Sequence, residues 1–233
     1  MIRLLHVTHG QIGGSRPSPP RYPARQRARE GFFGDADYRF YLDLLAENCR
    51  EADVACWAWV LMPNHIHAIL VPGDEDGLRA ALAPTHRKYA GAINARTRKT
   101  GHFWQGRYGA AVMDERHLLA AFRYILRNPV AANLAASPER WRWSSAAAYI
   151  KGGGDGLTET GAMQSRIPAM RSFLSGKAPA LDELVVRDDE TIGRPHGDAR
   201  FLAKLERKTG RPLRREKPGP KPRARKAVGK SGG

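Results

Sequence analysis

The stretch from Trp57 to Val71 leaves the backbone few options. Val54–Met62 and His65–Val71 are apolar runs of strand length, and Pro63-Asn64 between them is a turn pair, so the sequence predicts a β-hairpin. Side chains at i and i+2 of a strand share a face, so His65 and His67 present their imidazoles side by side. Two adjacent imidazoles are a ready pair of metal ligands, and the same pattern also fits the exposed face of a half-buried strand. Residues elsewhere in the chain must decide between the two.

Charge narrows the class of partner. The 233 residues carry a formal net charge of +16, with a pI near 10.4, which points to a polyanion. A membrane surface is the rival polyanion. There is no basic amphipathic anchor, no lipidation motif and no spanning apolar run, and Met1–His6 turns polar too soon for a signal peptide. Two cysteines, Cys49 and Cys56, supply neither a disulfide framework nor a cysteine zinc site, and a reducing cytoplasm is expected.

Around the hairpin, helices and strands alternate. Ile2–Thr8 is a candidate first strand and Gly10–Gly34 a long loop. A helix capped by Asp35 or Asp37 runs to about Cys49, and a second runs from Leu78 to about Arg98. The second helix carries only basic charges, including Arg87 and Lys88, which suits phosphate contact. Gly101–Tyr108 interleaves Phe103 and Trp104 with Arg107, as where unpaired bases stack and phosphates are gripped; a core strand would use the same aromatics. Asp114 caps a third helix from Glu115 to about Asn128, which Pro129 is expected to end. Trp141–Ser145 is expected to open a further helix through Tyr149.

Tyr124 and Asn128 stand four residues apart, hence on one helical face. If that face meets His65 and His67, one place holds two imidazoles, an amide oxygen and a phenol. A divalent metal on His65, His67 and Asn128 would keep positions open for a phosphate oxygen, and Tyr124 would be the nucleophile. A buried tyrosine with a satisfied hydroxyl, and an ordinary helix C-terminal asparagine, are the plainer alternatives. Imidazole ligands alone suggest zinc or nickel.

Four motifs occur in order: Val60–His67, Gly101–Tyr108, Tyr124-Ile125-Leu126-Arg127-Asn128-Pro129-Val130, and Trp143-Ser144-Ser145. Together they resemble the REP-associated tyrosine transposases, members of the HUH single-strand endonucleases, over about residues 35–150. The resemblance implies an α+β, ferredoxin-like domain with an antiparallel sheet and flanking helices. It implies metal ligands at His65, His67 and Asn128, a nucleophile at Tyr124, and magnesium or manganese as the metal. The sequence departs from the family after His6-Val7-Thr8. No Arg-Gly-Asn follows, and a stretch rich in Pro, Arg and Gly intervenes before Phe32-Phe33.

The expected organisation is a transposase domain over 1–150, a linker with a small helical extension over 151–206, and a disordered basic tail over 207–233. The tail holds eleven basic residues, Arg214 and Arg215 among them, against Glu216, so it should add DNA affinity that falls with salt. The activity implied is cutting and rejoining of single-stranded DNA at hairpin-containing elements through a 5′-phosphotyrosine, by a monomer or homodimer at the nucleoid. The alternatives are a DNA-binding regulator that no longer cuts and a metal-dependent RNase.

Overall fold

The structure is a computed structural model and describes residues 5–8, 31–104, 108–176 and 195–213. Its first six elements are β1 (Leu5–Thr8), α1 (Asp35–Glu51), β2 (Val54–Met62), β3 (His65–Pro72), α2 (Gly77–Thr97) and β4 (Gly109–Val112). The strands form one sheet in the order β2-β3-β1-β4, with every neighbouring pair antiparallel. A βαββαβ chain in that order is the ferredoxin-like arrangement expected from the resemblance. The first strand, whose flanking sequence departs from the family, pairs centrally, with Thr8 opposite His67 and Gly109.

The hairpin forms as its pattern requires, Met62 pairing with His65 across Pro63-Asn64. Both faces of β2 are covered, which is why its apolar residues run on rather than alternate. A bulge between Cys56 and Ala58 shifts the register. Trp57 and Ala58 consequently join the same core, while Cys56, Trp59 and Leu61 belong to the other.

These two cores lie on opposite faces of the sheet. One, under α1 and α2, gathers Ile66, Ala68 and Leu70 of β3 with an aromatic group. In that group Phe32 stacks on Tyr38 at 4.5 Å, Tyr38 on Trp143 at 4.7 Å, and Tyr41 meets Tyr89 edge-on at 5.3 Å. The other gathers Ile69 of β3 with Leu118, Phe122, Ile125 and Leu126 of α3 (Glu115–Ala131). Three short helices follow, α4 (Ala146–Lys151), α5 (Gly161–Arg166) and α6 (Met170–Ser175), and then α7 (Ala199–Thr209). Met163, Ile167, Met170 and Leu174 of the α5–α6 segment are buried in the α3 core.

Three local expectations fail for physical reasons. Neither Asp35 nor Asp37 caps α1, whose N-cap is Gly34 without a side-chain cap hydrogen bond, because the Asp37 carboxylate is taken up by the Phe33 N–H and Arg96. Trp141–Ser145 does not open a helix, because the outer edge of β2 recruits it. Leu61 N–H donates to the Trp143 carbonyl at 2.9 Å and Ser145 N–H to the Trp59 carbonyl at 3.0 Å. Backbone groups of an edge strand need partners, and this segment supplies them before the helix starts at Ala146. Nor does Pro129 end α3, which continues to Ala131. So close to the helix end the proline forgoes only its own N–H bond, and Ala132 N–H still reaches the Asn128 carbonyl at 2.9 Å.

Candidate active site

The period of β3 decides which residues can meet α3. Ile69 faces the α3 core, so His67 and His65, two and four residues earlier, point to the same side. The helix is held at its start by Asp114, whose side chain accepts the His117 N–H at 2.9 Å. It turns Leu118, Phe122, Ile125 and Leu126 onto the sheet. That rotation carries Tyr124 to the histidines. The rings of His65 and His67 are 4.8 Å apart at 78°, and those of His67 and Tyr124 are 5.4 Å apart at 73°.

The groups differ in exposure. His67 is buried, at 1% exposed, whereas His65 and Tyr124 are half-buried. Asn128 is buried one helical turn beyond Tyr124 and shares its face. His65 Nδ1 lies 2.7 Å from Asn64 Oδ1. An amide oxygen only accepts, so Nδ1 is the donor in this contact, which in the neutral tautomer puts the ring's lone pair on Nε2. Asn64, which the sequence offers merely as a turn residue, therefore sets the tautomer of a candidate ligand.

Among the described residues no three His, Cys, Asp or Glu side chains stand close enough together to hold a metal. The two imidazoles lie together, and Asn128 adds an amide oxygen on the same helical face as Tyr124; these are the side chains to which the resemblance assigns a divalent cation. Imidazole and amide donors are chemically able to bind a divalent cation.

The other sequence candidates lie elsewhere. Arg87 and Lys88 are exposed on α2, across the sheet from the histidines, and Lys88 Nζ is 4.0 Å from Glu47. Trp104 also belongs to that side, where its indole N–H donates to the His86 carbonyl at 3.2 Å and its ring stacks on Tyr89 at 5.8 Å. Arg107, Arg214 and Arg215 lie outside the described residues. Two residues with no role assigned from the sequence, Arg123 and Arg127, flank Tyr124 and donate to backbone carbonyls at the end of α6. Their partners are main-chain atoms almost fifty residues away, which leave no side-chain signature in the sequence.

Comparison with known proteins places these positions in a family frame. Residues 24–128 match the family model of IS200-like transposases. That span contains His65, His67, Tyr124 and Asn128, and leaves out β1 and everything after Asn128. Among solved structures, a REP-associated tyrosine transposase bound to a REP hairpin is 18% identical, with a TM-score of 0.49. The alignment covers 69% of this chain and 90% of that one. No curated protein matches the chain.

Proposed function

We propose that this chain, whose residues 24–128 match the family model of IS200-like transposases, cuts and rejoins single-stranded DNA at hairpin-containing elements through a 5′-phosphotyrosine on Tyr124. The observation that carries the reading is the approach of the Tyr124 and His67 rings to 5.4 Å within one chain. It supports a tyrosine that acts beside its own chain's histidines, whether the protein is a monomer or a homodimer. The net charge of +16 suits a DNA partner in the cytoplasm or nucleoid. Among the described residues no helix is long and apolar enough to cross a membrane.

In the proposed reaction Tyr124 Oη attacks a backbone phosphorus. The Oη–P bond forms as the P–O3′ bond breaks, the phenolic proton passes to water, and the departing oxygen takes up a proton as a 3′-hydroxyl. Attack by another 3′-hydroxyl reverses the step and rejoins strands without ATP. Mg2+ or Mn2+ on His65, His67 and the Asn128 amide oxygen would supply polarisation of the phosphorus and neutralisation of its developing charge. Asn64 would keep His65 Nε2 available, and burial would hold the His67 ring in place.

The test is to incubate the full-length protein and Mg2+ or Mn2+ with a hairpin-bearing single strand labelled at either end. A denaturing gel should then carry a protein adduct with the 3′-labelled strand and none with the 5′-labelled one. Tyr124→Phe should form no adduct. Free cut ends without an adduct would mean a hydrolytic nuclease, and binding without cutting would mean a regulator.

A further inference from the structure

Arg123 and Arg127 sit on α3 one turn apart, rotated by about one residue step from Tyr124 and Asn128. Arg123 is 1% exposed, among the largest fully buried side chains of the molecule. A guanidinium cannot shed its charge, so its burial demands dedicated partners. It donates to the carbonyls of Phe173 and Gly176 and lies 5.8 Å over the Phe173 ring, while Arg127 donates to the Leu174 carbonyl. These carbonyls end α6, where the last carbonyls of a helix lack internal donors. The start of α3 is gripped from the same segment: Arg166, which ends α5, donates to Glu115 Oε1 at 2.8 Å.

We propose that Arg123 and Arg127 are positioning residues for Tyr124, and that α5 and α6 form a brace that fixes the rotation of α3 against β3. The proposal rests on the tyrosine chemistry above and adds to it a functional segment, residues 157–176, beyond the matched family region. The physical reason is leverage. A side-chain tip lies roughly 6 Å from the helix axis, so a rotation of about 10° displaces it by about 1 Å. A displacement of about 1 Å from attack geometry can cost ~100-fold in rate. The Glu115 contact at the start of α3 and the Arg123 and Arg127 contacts in its second half oppose that rotation from two sides.

The experiment compares full-length wild type, Arg127→Met, Arg127→Lys and Arg123→Lys in single-turnover adduct formation on the hairpin single strand with Mn2+. Arg127 is half-buried, which makes its variants the gentler ones. Arg127→Met should lower the saturated rate at least tenfold and change the half-saturating DNA concentration less than twofold. Arg127→Lys, which can still donate to the Leu174 carbonyl, should recover at least threefold of that loss, and Arg123→Lys should fall between the two. Tyr89→Phe, across the sheet, serves as a variant of lowered melting temperature that should keep the wild-type rate. An unchanged rate in Arg127→Met would overturn the proposal. So would a loss confined to DNA affinity, which would make Arg127 a phosphate contact, or an equal loss in Tyr89→Phe, which would mean general loosening. A wild-type protein that forms no Tyr124 adduct removes the tyrosine chemistry and this inference with it.

Discussion

Tyr89 and Tyr124 lie on opposite faces of one sheet, and on the proposed reading they have opposite tasks. Tyr89 is wholly buried and its hydroxyl donates to the Gly31 carbonyl at 2.7 Å; burial pushes its pKa far above the ordinary phenol value. Tyr41, beside it, has its hydroxyl 2.9 Å from His86 Nε2 and is pushed up by burial in the same way. A phenol that is harder to ionise and already committed to a hydrogen bond is a poor nucleophile and a good strut. Tyr124 is half-buried at the rim of the other core, with the edge of an imidazole beside it. The contrast teaches that residue type says little about a tyrosine's role; its burial and the face it occupies say more.

The largest expected effect tests that contrast directly. Tyr124→Phe should reduce adduct formation at least ~1000-fold, because the attacking oxygen is gone. Urea unfolding should place it within about 0.5 kcal/mol of wild type, as for a substitution that leaves the core intact. Persistent adduct would remove Tyr124 from the chemistry and erase the distinction between the two faces.

Metal removal comes next. EDTA should lower adduct formation by at least ~100-fold, with recovery on adding Mn2+, and His67→Ala should lose the response to Mn2+. His86→Ala, on the aromatic side, should keep that response. If both histidine variants kept it, the two imidazole environments would be functionally alike and His67 would be only a core residue.

A converse measurement sharpens the same comparison from the structural side. Tyr89→Phe removes the donor to a buried carbonyl and should cost about 1–3 kcal/mol in urea unfolding, while the adduct forms at the wild-type rate. A fall in rate alongside a stability loss of that size would mean that the aromatic face is coupled to the site.

How much of this was legible depends on where each residue finds its partners. The hairpin, the Asp114 cap and the apolar rows of α3 are local patterns of period 2 or 3.6, and they sufficed to put His65, His67, Tyr124 and Asn128 on candidate faces. That the faces meet was supplied by the family resemblance, since periodicity within an element carries no information about its neighbours. Trp141–Ser145 was misjudged because its conformation comes from the open edge of β2, eighty residues earlier. Arg123 has no local signature in the sequence, because its partners are the main-chain carbonyls of Phe173 and Gly176. Trp104 fitted either base stacking or core filling, and the partners it has lie in the aromatic core.

The smallest expected effect lies on the aromatic face and is one of pH. Asp37 takes two hydrogen bonds from Arg96, at 2.5 and 2.7 Å, and a third from the Phe33 N–H at 2.9 Å. The bond from the Arg96 side chain is the main reason its carboxyl titrates below the ordinary value of 3.8, with burial opposing and the Phe33 N–H assisting. A carboxylate whose folded pKa is depressed stabilises the protein fully above its unfolded pKa. That contribution drains away as pH falls from about 4 through the folded value. The Arg96 side chain is 52% exposed, so solvent screens the pair and its worth at neutral pH is about 1 kcal/mol. Asp37→Asn should therefore unfold at lower urea than wild type at pH 7, and the gap should narrow below pH 4 and in high salt. The adduct rate at pH 7 should stay at the wild-type level, since the pair braces Phe33 and α2 on the face away from Tyr124. A gap that widened in acid would mean that Asp37 is destabilised by its burial more than it is held by Arg96.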